Sequence, residues 1–396
     1  MIRSLQALFA VVVANLCLAN FLLSQVIIED RLPDSSRQKL DEMTSRGIEF
    51  LKSTQAPDGS FSKHLGPGLT ALAATAMLSN GIEKSDKSVR SALDYLKTQI
   101  KASGGIHAED SLYRSYETCI AILCLTEANQ DGEFTETIEA ADAYVRSLQW
   151  GPETETDPDD PAYGGFGYGT HRRPDLSNTA YAIEALRAAG AKGDDEAIQR
   201  AIIFVSRTQN MQSQFNNTEA ADKIGDKGFY YTPADTPGLV DSENRFGSSQ
   251  AGKTETGGLR SYGSMTYAGL KSLLYAGVTK EDIRVQGAVE WIKRNYTLEH
   301  NPGMEFAGPK KELDGLFYYY QVFGKALDAL GVDKLEDTDG VEHQWRADLI
   351  EKLAELQQAD GSWINQSARW MEDNQHLVTS YVLLALAYAR EDAEKK

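Results

Sequence analysis

Along the chain, apolar residues recur at helical intervals in paired runs. In "NTAYAIEAL", Ala180, Ile183 and Leu186 share one face, a spacing that belongs to a helix and not to a strand. The same unit comes back with variations: an apolar-periodic run that often ends in Gln, a Gly-rich turn carrying an apolar or aromatic residue, then a second apolar run. "GIEFLKSTQAPDGSF" leads to "TALAATAML"; "ALDYLKTQ" and "GGIHA" lead to "YETCIAILCL"; "AADAYVRSLQ" precedes "YGGFGYGTHRRPDLSNTAYAIEAL". "AIIFVSRTQ" with the later "GGLRSYGSMTYAGLKSLLYAG" forms a fourth copy, "AVEWIKRNY" with "DGLFYYYQVFGKALDAL" a degraded fifth, and "LIEKLAELQQADGSW" with "HLVTSYVLLALAYA" a sixth.

The pattern predicts an all-α chain of helical hairpins. A hairpin cannot hide its apolar stripes alone, and six in series can close into an α/α toroid, first helices outside and second helices inside. The terminal Gln suits the turn's orphan backbone groups, and the turn aromatic suits packing beside the next helix entry. The expected organisation is a signal peptide or N-terminal anchor at 1–25, a linker at 26–39, one toroid domain at 40–390 and a charged tail at 391–396. A long insert at 210–257 interrupts the fourth repeat, and Phe229, Tyr230 and Tyr231 within it point to partial order, as a lid or as decoration.

Composition narrows the partners. The 396 residues are 41% hydrophobic, enough for a large core. A formal net charge of −18 argues against a nucleic-acid or anionic-membrane surface. The N-terminus has Arg3 before an apolar run from Leu5 to Leu23, which reads as an export signal and hence a periplasmic or extracellular protein, with an uncleaved membrane anchor as the alternative. Cys119 and Cys124 fall on different faces of one helix, beyond the roughly 4.4–6.8 Å Cα separation of a disulfide, and read as buried small hydrophobes.

Polar residues cluster just before each second run, and so converge on one mouth of the ring: His64; Arg114, Tyr116 and Glu117; Arg172, Arg173, Asp175 and Asn178; Arg260 and Tyr262; Asp314; Asp373 and His376. Helix N-termini add a partial positive field there. Asp175, Ser177 and Asp314 are also ordinary N-cap residue types. Tyr318 and the other inner aromatics suit either a pocket wall or plain core.

The repeat of helix, Gln, "GGFG" or "DGSW" turn and helix resembles that of the terpenoid cyclase and protein prenyltransferase superfamily, over about Leu40 to Ala389. For class II cyclases the resemblance implies a proton donor in Asp-x-Asp-Asp-Thr-Ala. This chain reads "DLSNTA", with Asp175 in the first position but Ser177 and Asn178 in the other two. The literal "DPDD" at Asp157 to Asp160 reads as an acidic loop. For prenyltransferases the resemblance implies a zinc set that begins Asp-Gly-Cys; here Asp314 and Gly315 are followed by Leu316, and His376 stands three residues before Thr379. No metal or other cofactor is therefore expected.

The leading expectation is an exported protein that binds, and in one version slowly processes, an apolar or isoprenoid small molecule in the central cavity. Arg114, Tyr116, Arg173, Asn178, Arg260, Tyr262 and Tyr318 are the candidate contacts. Membrane contact is expected only through an uncleaved N-terminal segment. A secreted glycan-active lyase or hydrolase is the second expectation, with carboxylates drawn from Glu117, Asp175, Asp314 and Asp373 and with His376 as a further catalytic candidate. A non-catalytic interaction scaffold is the third.

Overall fold

A computed structural model describes residues 32–169, 173–218, 221–234 and 247–390. The segment expected to be a signal or anchor, Arg172, the middle of the insert at 235–246 and the tail lie outside the described residues. The first hairpin joins α1 (Asp34–Thr54) to α2 (Pro67–Ser79), the second α3 (Lys87–Lys97) to α4 (Arg114–Glu127), and the third α5 (Thr135–Ser147) to α6 (Leu176–Ala188). Then α7 (Glu196–Arg207) and the one-turn α8 (Ala221–Ile224) lead to α9 (Gly263–Tyr275), α10 (Ile283–Arg294) to α11 (Leu316–Leu330), and α12 (Trp345–Leu356) to α13 (Gln375–Ala389). A small antiparallel ladder, β1 (Leu335–Glu336) on β2 (Glu342–His343), precedes α12.

The second helices close a ring. α2 packs on α4, α4 on α6, α6 on α9, α9 on α11, α11 on α13, and α13 returns to α2. Each first helix packs on the inner helix of the preceding hairpin, as α3 does on α2, α5 on α4, α10 on α9 and α1 on α13, and α12 also meets α1. The fold is thus an all-α toroid of six hairpins. Residue composition sorts the two layers. On α3 the buried residues Val89, Ala92, Leu93 and Leu96 form one stripe, as a helix with one wet face requires. On α2 ten of thirteen residues are buried, and its alanines at 71, 73, 74 and 76 let neighbouring helices approach on several sides. No helix among the described residues is long and apolar enough to cross a membrane.

The turns are held by a repeated pair of contacts. Gln149 Nε2 donates to Gly164 O at 2.9 Å and to Ala197 O at 2.8 Å, tying the turn to the start of the next outer helix. Gln55 and Gln209 do the same in their repeats, and Gln357 ties its turn to Met43 within α1, whereas the half-buried Gln99 donates to Thr98 and to no turn carbonyl. A threonine on each of five inner helices accepts from the turn backbone, as Thr179 Oγ1 does from Phe166 N at 3.0 Å. The pattern repeats with Thr70, Thr118, Thr266 and Thr379. Gly164 is required where it stands: at φ +85° a Cβ would lie 1.9 Å from Arg200 O.

These contacts correct the fourth repeat. Its turn is not in "GGLRSYG" but at Gly228 and Phe229, because Gln209 clamps Lys227 O and Phe229 N donates to Thr266 Oγ1. Two additions flank that turn, one before it and a larger one after it. The second carries paired strand-like contacts between Thr232 and Ser248.

Candidate functional site

Six inner helices start at one rim, and the space between them is a cavity of about 440 Å³. Its wall is unusually rich in phenols: Tyr116 from α4, Tyr262 at the entry to α9, Tyr318 from α11 and Tyr381 from α13, with Tyr113, Tyr168 and Tyr231 nearer the loops. The rings brace one another. Tyr116 and Tyr381 hydroxyls are 3.2 Å apart, Tyr318 meets Ser177 Oγ at 3.2 Å, and Tyr181 sits edge-on to Tyr116 at 4.9 Å behind the wall. Burial raises the Tyr116, Tyr262 and Tyr381 hydroxyls above the ordinary tyrosine value, so they stay protonated. Leu65, Leu69, Leu72, Ile120, Met265 and Leu377 complete an apolar lining.

Helix geometry explains which aromatics reach the space. In "FYYY" successive side chains turn by about 100°, so only Tyr318 faces the cavity. Tyr319 and Tyr320 point outward and donate to Thr297 O and Leu298 O, and Phe317 and Tyr267 are core. Across the mouth, Trp370 and Met371 adopt φ of 55° and 64°, a costly backbone for side chains of this kind. Trp370 packs on Gly315, where a Cβ would fall 3.0 Å from the indole ring. Arg369 lies 4.9 Å over the same indole.

Three carboxyl groups gather around this end. Burial pushes Glu117 up to about 7, against the hydrogen bond from Ala108 N at 3.0 Å. Burial likewise pushes Glu372 up to about 7, although it accepts from Tyr318 N at 2.8 Å, Phe317 N at 3.2 Å and Asn365 Nδ2 at 2.6 Å. Asp175 is raised to about 6 by burial, opposed by hydrogen bonds from Asn178 N and Nδ2 at 2.9 and 2.8 Å. Glu117 and Glu372 line the cavity; Asp175 lies behind Asn178 and caps α6. Chemically the site offers an apolar aromatic chamber with two carboxylic acids that hold protons near neutral pH.

Of the residues singled out from sequence, Tyr116, Glu117, Asn178, Tyr262 and Tyr318 line the cavity. The other described candidates sit outside its lining. Arg114 Nε donates to Ser111 O at 3.0 Å, Arg173 Nη1 to Ser248 Oγ at 2.8 Å, and Arg260 stacks on Phe306 at 4.6 Å. Asp314 accepts from Ser367 Oγ at 2.6 Å, and Asp373 is exposed. His376 is held between Ser62 Oγ and Thr54 Oγ1, both at 2.9 Å, against Phe50 and Phe61. Among the described residues no group of three His, Cys, Asp or Glu side chains is placed to hold a metal ion. Sequence reasoning passed over Glu372, Trp370, Tyr168 and the cavity role of Tyr231; position just before an inner helix was the available signal for Glu372.

The profile of the squalene-hopene cyclase C-terminal domain family matches residues 66–232, from the entry of α2 to the fourth repeat's turn. Among solved structures, an apo variant of the type II terpene cyclase MstE from Scytonema is similar at TM-score 0.52 and 13% identity, covering 90% of this chain and 99% of that one. A second MstE variant, in complex with its product merosterolic acid A, gives TM-score 0.54 and 14% identity with the same coverage. A third, in complex with its substrate geranylgeranyl dihydroxybenzoate, gives 0.52 and 13%, again covering 90% and 99%. At such identities the likeness is one of fold. No curated protein matches the sequence significantly.

Proposed function

We propose, for a chain assigned to the terpenoid cyclase superfamily by its fold and family match, that the central cavity binds an apolar ligand of the isoprenoid class. One observation carries this: the chamber between the inner helices is walled mainly by tyrosines and aliphatic side chains, the three candidate arginines lie outside its lining, and the arginine that does line it, Arg369, is stacked on Trp370. Such a wall rewards a branched hydrocarbon chain, at about 0.8 kcal/mol per buried CH₂. It offers little to a polyanionic sugar. The isoprenoid substrate and product named for MstE support the same class, and an apolar cargo is compatible with the export expected from the N-terminal segment.

Calorimetric titration with geranylgeranyl dihydroxybenzoate tests the proposal. Saturable binding is expected, weakened roughly tenfold in Tyr318→Ala and several-fold in Trp370→Ala, whose indole is partly exposed at the mouth. No heat of binding, with an unchanged melting temperature, would remove the isoprenoid reading and favour a scaffold.

Slow processing is the second reading, and the presence of two carboxyl groups, Glu117 and Glu372, in the cavity lining favours it. Ser177 and Asn178 stand where the resemblance places two aspartates, so a proton for an alkene has to come from another acid. Delivery of that proton to one alkene carbon and loss of a proton from a neighbouring carbon would leave an isomer of equal mass. Chromatography after prolonged incubation is expected to show such an isomer in the wild type and none in Glu372→Gln; unchanged probe in both would limit the protein to binding.

A further inference from the structure

A second cavity, of about 360 Å³, lies at the other end of the ring, where the inner helices finish. Leu72 and Ile120 line both cavities and separate the two. The wall of the second brings together Glu127 of α4, Glu184 of α6, and Gln321 and Lys325 of α11. One Glu184 oxygen accepts from Lys271 of α9 and the other from Lys325. Glu184, Lys271 and Lys325 are only 3%, 1% and 8% exposed.

Two ammonium groups on one carboxylate leave a positive charge in excess inside the protein, and an unbalanced buried charge is costly. Aromatic faces absorb part of it: Lys325 Nζ lies 5.5 Å from the Tyr275 ring centre and 5.3 Å from that of Tyr388. Burial holds the Lys271 amine below its ordinary value despite Glu184 beside it. Lys325 also faces burial, yet the Glu184 carboxylate keeps it protonated. Glu127, at the rim with its outer part exposed, makes no ion pair among the described residues, and the enclosure of its carboxyl by the cavity wall holds it above the ordinary range with Lys325 pulling the other way. Gln321, 3% exposed, keeps a side-chain oxygen with no hydrogen-bond partner among the described residues. Its amide can turn either end to a ligand.

We propose that this second cavity is a binding site for a small oxyanion, an organic carboxylate or a phosphate, seated on Lys325 with the Gln321 amide turned to donate. Such an anion supplies the second negative charge that two lysines on the single Glu184 carboxylate call for. The site is independent of the tyrosine-walled chamber and does not rest on the isoprenoid reading.

Inorganic phosphate and acetate, titrated separately into the full chain and followed by calorimetry, test it. At least one is expected to bind saturably, one per chain, and the tighter of the two identifies the source class. Lys325→Met should weaken that binding at least tenfold, and Glu127→Gln, which removes rim negative charge, should tighten it two- to fivefold. Absence of saturable binding by either anion, or affinity unchanged in Lys325→Met, would overturn the site. If Lys325→Met loses its helical circular dichroism, Glu127→Gln decides alone, and an unchanged or weaker affinity there counts against the proposal.

Discussion

Glu117, Asp175 and Glu372 make the folded protein a better proton acceptor than the unfolded chain above the ordinary carboxyl range. A carboxyl whose folded value is raised binds its proton more tightly when folded, so its contribution favours the native state at low pH. That contribution is lost as pH rises from the unfolded value toward the folded one. With Glu117 and Glu372 near 7 and Asp175 near 6, the window is about pH 4.5 to 7.5. Among the carboxyls the opposite class, such as Asp58, lowered to about 2 by Lys63 and Ser60, acts only below that window, while His107 and His376, lowered by burial, favour the native state as pH rises and offset part of the fall. Thermal melting is therefore expected to fall by on the order of a few degrees between pH 5 and pH 8. Glu372→Gln should flatten the slope, since its amide oxygen can still accept from Tyr318 N. A melting temperature that rises over this range would show these acids to be ionised. Glu372 also marks where sequence reading stops: its carboxyl meets the start of α11, more than fifty residues earlier in the chain, and no local pattern encodes that meeting.

Among the elements, the hairpin is the unit that sequence displays best. Gln, Gly and the apolar period lie within one short window, and the clamp of Gln149 on Gly164 O and Ala197 O is what that window encodes. The fourth hairpin is the hardest to place from sequence, because an addition separates "KGFYY" from Gln209 and leaves "GGLRSYG" as the more regular glycine turn before α9. Arg173 and Arg260 were mistaken for cavity groups for a related reason. Their position before a helix is visible in sequence, but the sideways turn onto Ser248 and Phe306 depends on loop packing. The clamp makes a paired prediction. Gln149→Ala strands two buried carbonyls and should cost about 2–4 kcal/mol in chemical denaturation, whereas Gln99→Ala, at the equivalent position whose amide holds no turn carbonyl, should stay within about 0.5 kcal/mol. Equal losses at both positions would show that the Gln is not what holds the turns.

At the scale of the whole molecule, closure of α13 onto α2 turns six one-sided hairpins into a single core and leaves a space at each end of its axis. The α/α toroid was legible because the repeat count and helix alternation suffice to specify it. The contents of the ring were not, since which tyrosine of "FYYY" turns inward depends on the angular setting of α11. The two ends differ in chemistry, phenolic and apolar at the mouth, charged at the foot. Photolabelling separates them most directly. With a diazirine-bearing geranylgeranyl probe, followed by peptide mass spectrometry, the account predicts crosslinks confined to the segments carrying Tyr116, Tyr318 and Tyr381, competed away by unlabelled geranylgeranyl dihydroxybenzoate. Crosslinks spread over the outer helices, or labelling that the competitor leaves unchanged, would contradict a ligand in the central cavity.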